Sequence, residues 1–481
     1  MASSAVKSNF YKWHRVLGLI GLVPIIFWTL SGLSHPFMSN WFRPVIAKEV
    51  FKPLSQDKMK PTLSIQQIMD KNNLQNLRNF NLINFNKNTF YQVLGRDSVY
   101  KYYSATDGIL LPNGDVQYAE YLARFFTQDS TSTLKSIVLQ TTFDGQYQPI
   151  NHLLPVWKVS LNRPDGMDVY IETGQSRMGT FNNNTRKILL WTFEQFHTWQ
   201  FLADIAGDTF RNVFLLIIMC VMLFSLISGL TIYGLFWKKF KTIQQNRKAK
   251  GTEDKRFVHR FHRQIGLIVS FVMFTFVVSG AFHLFVKLYH NEPDKADYGQ
   301  VISRKQLVIS NLDLPVTDSV IKKAGVVSFN GNTYYQVVNN KKQVLYFNTL
   351  TGKEQELGDE DYARFLSTYY HSSPSKTFAG RVKLDVIKQF DNEYGFINKR
   401  LPVERIGYPD GSNWYIETTT SKLATKVAGI DRAEGLSFIF LHKYFGMSWA
   451  GKNVRDIVSM LAALGVLVAS LFGFATFIKN K

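Results

Sequence analysis

The segment Lys12–Phe37, KWHRVLGLIGLVPIIFWTLSGLSHPF, is an apolar run with a histidine near each end, His14 and His35. No Asp, Glu, Lys or Arg falls between Val16 and Phe42. At about 1.5 Å per residue such a run is long enough to cross a hydrocarbon core of about 30 Å. Asn212 to Trp237, Gln264 to Val286 and Ile457 to Ile478 are equally free of charge, so the sequence predicts four transmembrane helices. The 481 residues are 46% hydrophobic and 15% aromatic, yet the mean hydropathy is −0.09. The rest of the chain must therefore be polar and globular.

Basic residues near span ends are retained on the cytoplasmic side. The stretch Lys238–Arg263 holds ten of them against Glu253 and Asp254, which places that loop inside. Lys7, Lys12 and Arg15 at one end and Lys479 and Lys481 at the other place both termini inside as well. These flanks supply most of the formal +20. The basic balance thus reflects topology in a lipid bilayer, and no nucleic-acid partner is expected. The first span is too long and too aromatic for a cleaved signal peptide, and no clean small-x-small site follows it, so it is expected to be retained. Cys220, the single cysteine, excludes an intramolecular disulfide, a CxxC pair and a CxxCH haem attachment; it reads as an apolar filler.

The chain is written twice. WHRVLGLI at Trp13 returns as FHRQIGLI at Phe261, and SGLSHPF at Ser31 as SGAFHLF at Ser279. Outside the spans, FNKNTFYQV at Phe85 answers FNGNTYYQV at Phe329, YLARFF at Tyr121 answers DYARFL at Asp361, and PDGMDVYIET at Pro164 answers PDGSNWYIET at Pro409. FHTWQF at Phe196 and LHKYFG at Leu441 precede the second and fourth spans. Internal similarity at this scale signals two tandem repeats. Alternating stretches such as TFYQVLG and DVYIET predict short antiparallel strands, and VQYAEYLARFF and DEDYARFLSTYY predict amphipathic helices.

The expected organisation is residues 1–40 as cytoplasmic N-terminus and first span, 41–205 as an α+β domain outside, and 206–238 as the second span. Residues 239–258 form a basic cytoplasmic loop, 259–286 the third span, 287–450 a second outer α+β domain, and 451–481 the fourth span and cytoplasmic C-terminus. Each outer segment is long enough for its own core.

Six of the ten histidines pair through the repeat: His14 with His262, His35 with His283, and His197 with His442. The first pair begins the two outward helices at the cytoplasmic face, and the second ends them at the outer face. Twenty-one residues from His14 to His35 span about 31 Å of helix, and the two side chains project to roughly the same side. Neutral imidazoles presented at one depth by two neighbouring helices suit an axially ligated haem, whose iron takes one ligand on each face of the ring. His197 and His442 lie in aromatic amphipathic stretches near the outer surface. Four outer histidines thus compete, and either two or three haems are accommodated, or one outer haem beside a histidine-lined pocket. Arg15, Arg263, Arg211 and Arg455 flank these sites as candidate propionate partners. Gly32, Gly280, Gly229 and Gly473 recur at matching depths, where they allow a flat ring or a neighbouring helix to approach. His152, His259, His290 and His371 have no repeat partner and read as surface residues. No residue is singled out as catalytic.

The HR…GL helix starts, the late-span SG, the LH before an inward span and the YYQV and YIET strands resemble the PepSY-associated transmembrane family in its duplicated form, over nearly the whole chain. The resemblance implies α+β PepSY-like periplasmic domains on an inner-membrane protein. It further implies kinship with haem-containing bacterial reductases that act on ferric siderophores in the periplasm. Carried over, the motif histidines are His14, His262, His197 and His442; His35 and His283 rest on the geometric reading alone.

The expected function is therefore a haem b oxidoreductase that passes electrons across the membrane to a ferric siderophore or another Fe(III) chelate. Reduction to softer Fe(II) weakens binding by hard oxygen ligands. There is no GxGxxG after a strand, and the interhelix loop is too short for a flavin or nicotinamide domain, so a separate donor or membrane quinol must supply electrons. One alternative keeps the haems and changes the acceptor to a quinone or periplasmic redox partner. Another is a non-enzymatic, membrane-anchored module that binds or inhibits a partner. A siderophore transporter ranks lower, since the spans carry no internal charge to mark a substrate path.

Overall fold

A computed structural model describes residues 4–50, 59, 61–250, 257–289, 296–316, 321–339, 341, 343–371 and 383–479. Glu253, Asp254, His290 and Lys481 lie outside the described residues. In chain order the helices are α1 (Ser4–Pro36), α2 (Ile65–Lys71), α3 (Gly114–Thr127), α4 (Asn184–Phe196), α5 (Gln200–Leu235), α6 (Trp237–Lys250), α7 (Phe257–Tyr289), α8 (Gly358–Tyr370), α9 (Gly429–Ser437) and α10 (Lys452–Lys479). The chain forms two compact units, one of residues 1–43, 185–293 and 430–481, the other of residues 44–184 and 294–429.

In the first unit, α1, α5, α7 and α10 are each long and apolar enough to cross a membrane. Helices α1 and α7 each pack against both α5 and α10. They are therefore diagonal in the bundle, not the neighbours expected from the sequence. Val16, Ile20, Phe224, Phe271 and Leu461 point outward, whereas Ser31, Ser34, Ser225, Ser228, Thr275 and Ser279 are buried. Such an arrangement suits lipid outside and polar side chains at helix contacts. The hydroxyls of Ser31, Ser34, Ser228, Thr275 and Ser279 are cheap to hold there, because each donates to a carbonyl of its own helix, as Ser31 does to Phe27 O at 2.5 Å and Thr275 to Val272 O at 2.8 Å.

Gly207 (φ 84, ψ 163) interrupts α5, and Gly451 (φ 85, ψ 160) immediately precedes α10. Only glycine adopts this conformation at low cost, so the spanning part of α5 and helix α10 each start at a glycine. Gly207→Ala is expected to cost about 1–3 kcal/mol, seen as a lower thermal midpoint of the detergent-purified protein. Gly234→Ala, with nothing within 4 Å of the new Cβ, should leave the midpoint unchanged or raise it. Residues 239–250, expected as loop, lie in the helix α6; a run of Lys, Gln, Arg and Ala without Gly or Pro before Gly251 favours that state.

The second unit is α+β. Strands Asn79–Phe85, Asn88–Leu94, Tyr100–Ser104 and Leu110–Leu111 form one antiparallel sheet, and Ile321–Phe329, Asn332–Asn339 and Val344–Asn348 another. Their first hairpins turn at Asn86–Lys87 and Asn330–Gly331, all four at positive φ, the backbone that a two-residue hairpin requires. Strands Leu134–Gln140, Val156–Leu161, Asp168–Glu172 and Arg177–Asn182 form a third sheet, and Lys383–Ile387, Val403–Gly407, Asn413–Glu417 and Lys422–Val427 a fourth.

Each outer segment has its own core, under α3 around Phe85, Leu122 and Val169, and under α8 around Phe329, Leu366 and Ile416. A further core draws on both segments, with Ile68, Phe80 and Tyr91 against Val326 and Tyr335. Buried Arg177 and Arg400 also both pair with buried Glu417. The two segments thus share one unit. Residues from Thr185 onward belong with the spanning helices, so the helical unit begins before residue 205.

Candidate functional site

His14 on α1 and His262 on α7 face each other at one end of the bundle, where the chain termini lie. Their ring centres are 6.1 Å apart and the ring planes differ by 35°. His14 Nδ1–H donates to Ser225 O at 3.0 Å on α5, and His262 Nδ1–H donates to Ala469 O at 2.8 Å on α10. A backbone carbonyl can only accept. Both rings are thereby fixed with the proton on Nδ1, and Nε2 is left as the nitrogen with a free lone pair.

The rings reach those carbonyls because the facing helix carries a glycine. A Cβ on Gly229 would lie 2.8 Å from His14 Cε1, and one on Gly473 would lie 2.9 Å from His262 Cε1. These glycines thus admit the imidazoles. A cavity of about 600 Å³ adjoins the pair, lined by Gly18, Gly266, Arg15, Arg263, Tyr11 and His259 among others. The Arg15 guanidinium lies 4.9 Å from the Phe477 ring and that of Arg263 lies 4.2 Å from the Phe240 ring.

The second pair is built at the other end of the bundle, where α1 and α7 finish. His197 follows α4, and His442 closes a π-helical turn, Phe438–His442, after α9. Their ring centres are 6.5 Å apart, with planes at 87°. Ser31 and Ser279 give their hydroxyl hydrogens to Phe27 O and Thr275 O. Their oxygens then accept from His197 Nδ1–H at 3.3 Å and His442 Nδ1–H at 3.1 Å. Nε2 is free here too. Phe193 stacks on His197 at 4.5 Å and Phe438 on His442 at 4.8 Å.

Two residues beyond each histidine the chain enters the left-handed region, Trp199 at φ 54 and Tyr444 at φ 50. That is an outlier for a bulky side chain, and the surrounding packing must hold it. Burial lowers the His197 pKa to about 4 and that of His442 to about 3, in both cases chiefly by desolvation. Both stay neutral where an unfolded chain would protonate. Between pH 6.5 and about 4 the unfolded state therefore binds more protons, and stability falls with falling pH. The protein without bound ligand should accordingly melt at a lower temperature at pH 5 than at pH 7, and His197→Phe should lessen that pH dependence.

The structure does not bring His35 and His283 together as a pair. Phe193 lies against His35 at 5.8 Å, and Phe438 lies against His283 at 5.4 Å. His283 Nδ1 is bound to Glu434 Oε1 at 2.6 Å. Arg211 is engaged by Asp208 and Gln200, each at 2.8 Å; Arg455 sits 4.1 Å from the Phe445 ring and 3.5 Å from Asp456. Gly32 lies beside His197 Cε1, its Cβ position 3.6 Å away, whereas a Cβ on Gly280 would meet Met219 at 3.0 Å.

Two of the histidines read as surface residues are otherwise placed. His259 lines the cavity, one turn before His262, and His371 stacks on Trp414 at 5.1 Å with parallel planes. Sequence reasoning passed over Ser31, Ser279, Gly18 and Gly266, although each recurs in the repeated motifs quoted above.

Metal–imidazole bonds of about 2 Å, with about 1.1 Å more from each nitrogen to its ring centre, put two trans imidazoles on one iron about 6.3 Å apart. The observed 6.1 and 6.5 Å fit that value. Structural zinc needs four protein ligands, and among the described residues no group of three or more His, Cys, Asp or Glu is arranged around an ion. Two imidazoles with free Nε2 atoms fit an iron whose other four positions are filled by a macrocycle.

Fold and site together define a multi-pass membrane protein with an α+β unit and two facing histidine pairs in its helical bundle. Residues 115–479 match the model of the PepSY-associated TM region, and the chain belongs to that family. The match takes in His197, His262, His283 and His442, and begins after His14 and His35. No curated protein matches the chain.

Proposed function

We propose that this chain is a haem b oxidoreductase of the bacterial inner membrane, formed by tandem duplication, which passes electrons across the bilayer to a ferric siderophore or similar Fe(III) chelate in the periplasm. The observation that carries this reading is the pair of bis-imidazole sites, one near each end of the spanning bundle, with every Nδ1 held by a carbonyl or a hydroxyl. Haem, when bound, supplies a reversible one-electron carrier.

The chain's own residues do the rest. His14, His262, His197 and His442 would hold the haem iron through Nε2, and Arg15 and Arg263 would offer guanidinium groups to the propionates. Ile25, Met222, Val269, Val277 and Val466 form a buried apolar cluster among α1, α5, α7 and α10, whose low polarity disfavours ions. Ser31 lies 17 residues beyond His14 on α1, so the two levels are about 25 Å apart along the helix. The basic flanks place the His14 level at the cytoplasmic face, where membrane quinol or a separate donor delivers electrons. The His197 level then faces the periplasm, where Fe(III) held by hard oxygens is released on reduction.

A pyridine haemochrome assay on the detergent-purified full chain tests the reading. Two haems b per chain, reduced by dithionite and reoxidised by a ferric trihydroxamate, are expected. Protein free of haem after expression with ample haem supply would overturn it in favour of a partner-binding module.

A further inference from the structure

The paired side chains around the second site match one another closely, with one exception. His197 and His442, Ser31 and Ser279, and Phe193 and Phe438 each occupy equivalent places. His35 and His283 both lie against the outer side of those phenylalanines. Among the described residues only His283 has a carboxylate at hydrogen-bond distance, Glu434 Oε1 at 2.6 Å, whereas Asp456 lies near His35 without such a bond. In the register that aligns His442 with His197, the counterpart of Glu434 is Leu189, and among the described residues no carboxylate is hydrogen-bonded to His35. A duplicated frame has thus gained an imidazole–carboxylate dyad on one side.

The dyad is partly open, with 35% of the His283 side chain and 19% of Glu434 accessible. Phe438 touches both His283, at 5.4 Å, and His442, at 4.8 Å. The charged groups around it are Lys287 on α7, with Arg211 and Asp208 on α5 and Glu194 on α4 close to that lysine. His442 and Lys443 lie on its other side, and Asp431 and Arg432 share α9 with Glu434. Glu434 is thus bordered by Lys287, and its short bond to His283 Nδ1 leaves Nε2 as the outward nitrogen. An imidazole oriented by a carboxylate on Nδ1 is built to hold a proton on Nε2 and hand it on.

We infer that His283 and Glu434 form a proton donor for the ferric chelate reduced at the His197–His442 end. This rests on the proposed function. Iron takes one electron, supplied through the protein by membrane quinol or a reduced donor, and the dyad gives one proton from His283 Nε2 to an iron-bound oxygen of the chelate. That Fe–O bond breaks and its oxygen keeps the O–H; the chelate's remaining anionic oxygens take protons from water as Fe(II) leaves, and the dyad regains its own proton from water. Electron delivery alone leaves a negatively charged oxygen free to recapture the metal; a delivered proton removes that competition. The substrate class is then a chelate with protonatable oxygen ligands, such as a hydroxamate or catecholate.

The test uses the full-length, haem-loaded protein, reduced with dithionite, freed of excess reductant, and mixed with either a ferric linear trihydroxamate or ferricyanide. Cyanide ligands stay bound and take no proton. His283→Gln and Glu434→Gln are expected to keep full haem content and the wild-type rate with ferricyanide, while reoxidation by the trihydroxamate slows at least about tenfold and loses its pH dependence. Glu434→Asp should recover part of the rate. The reduced-minus-oxidised infrared difference spectrum of the wild type should carry a carboxyl band that Glu434→Gln removes.

A measurement free of variants is the solvent deuterium effect on the wild type, expected with the trihydroxamate and absent with ferricyanide. Equal slowing with both acceptors, unchanged rates with both, or no isotope difference overturns the dyad. Absence of haem, or failure of the wild type to reduce either acceptor, overturns the proposed function instead.

Discussion

His262→Ala is expected to lower haem from two per chain to one and to abolish electron transfer from the cytoplasmic face to an external acceptor. The reason lies in the donor set. In the proposed arrangement each site offers two imidazoles, so one deletion leaves a single one, and Ala469 O loses the Nδ1–H that held the ring 2.8 Å away. Loss of a group that merely supports a metal ligand costs about 10–100-fold in affinity, and loss of the ligand itself should exceed that. The His197–His442 site stands about 25 Å away along the helix and should keep its haem. Haemochrome stoichiometry gives the first result, and reduction of an external Fe(III) chelate by proteoliposomes loaded with internal reductant gives the second. Two haems in the purified variant would show that His262 is not a ligand. His14→Ala should behave in the same way through Ser225 O.

Gly229→Val should remove the same haem without touching a ligand. A Cβ at this position lies 2.8 Å from His14 Cε1 and 3.2 Å from Nδ1. Since α5 packs against both α1 and α7, the imidazole must move, and its bond to Ser225 O and its distance from His262 are lost together. Gly473→Val poses the same clash with His262 Cε1, at 2.9 Å. The expected readout is one haem per chain with an intact monodisperse elution profile, while Gly234→Val on the same helix keeps two. Equal haem loss in both would mean that the glycines serve general helix packing, and that the close approach of the imidazole to the glycine carries no weight.

Some of this arrangement was legible before any coordinates. The absence of charge over four long stretches located the spans, and the strands Asn88–Leu94 and Asp168–Glu172 followed from alternation bounded by turn residues. Equivalence between His14 and His262, and between His197 and His442, came from the repeated motifs. The recurrence of Gly229 and Gly473 was visible as well, but not what they admit. A helix with a uniformly apolar surface has no stripe to say which residues look inward, so nothing in one span names the residue across from it. The diagonal placement of α1 and α7 escaped for that reason.

The outer histidines make the same point. Along the chain His35 and His283 look as well placed as any other pair, at equal depth on equivalent helices. Packing sets Phe193 against His35 and Phe438 against His283 and turns His283 toward Glu434, 151 residues away, while His197 and His442 meet with ring centres 6.5 Å apart. Likewise, alternation along Phe80–Tyr91 and Val326–Tyr335 marks a buried face but not its cover, and the shared core of the two outer segments was not foreseen.

By itself, then, the sequence determined four membrane spans, an α+β remainder and three sets of equivalent histidines, because hydrophobicity, turn chemistry and internal similarity are properties of the chain read in order. The tertiary structure decided which imidazoles meet, which nitrogen each leaves free and which histidine is diverted to a carboxylate. Those outcomes depend on distances of a few ångströms between segments hundreds of residues apart, set by which small residues let two helices close on each other.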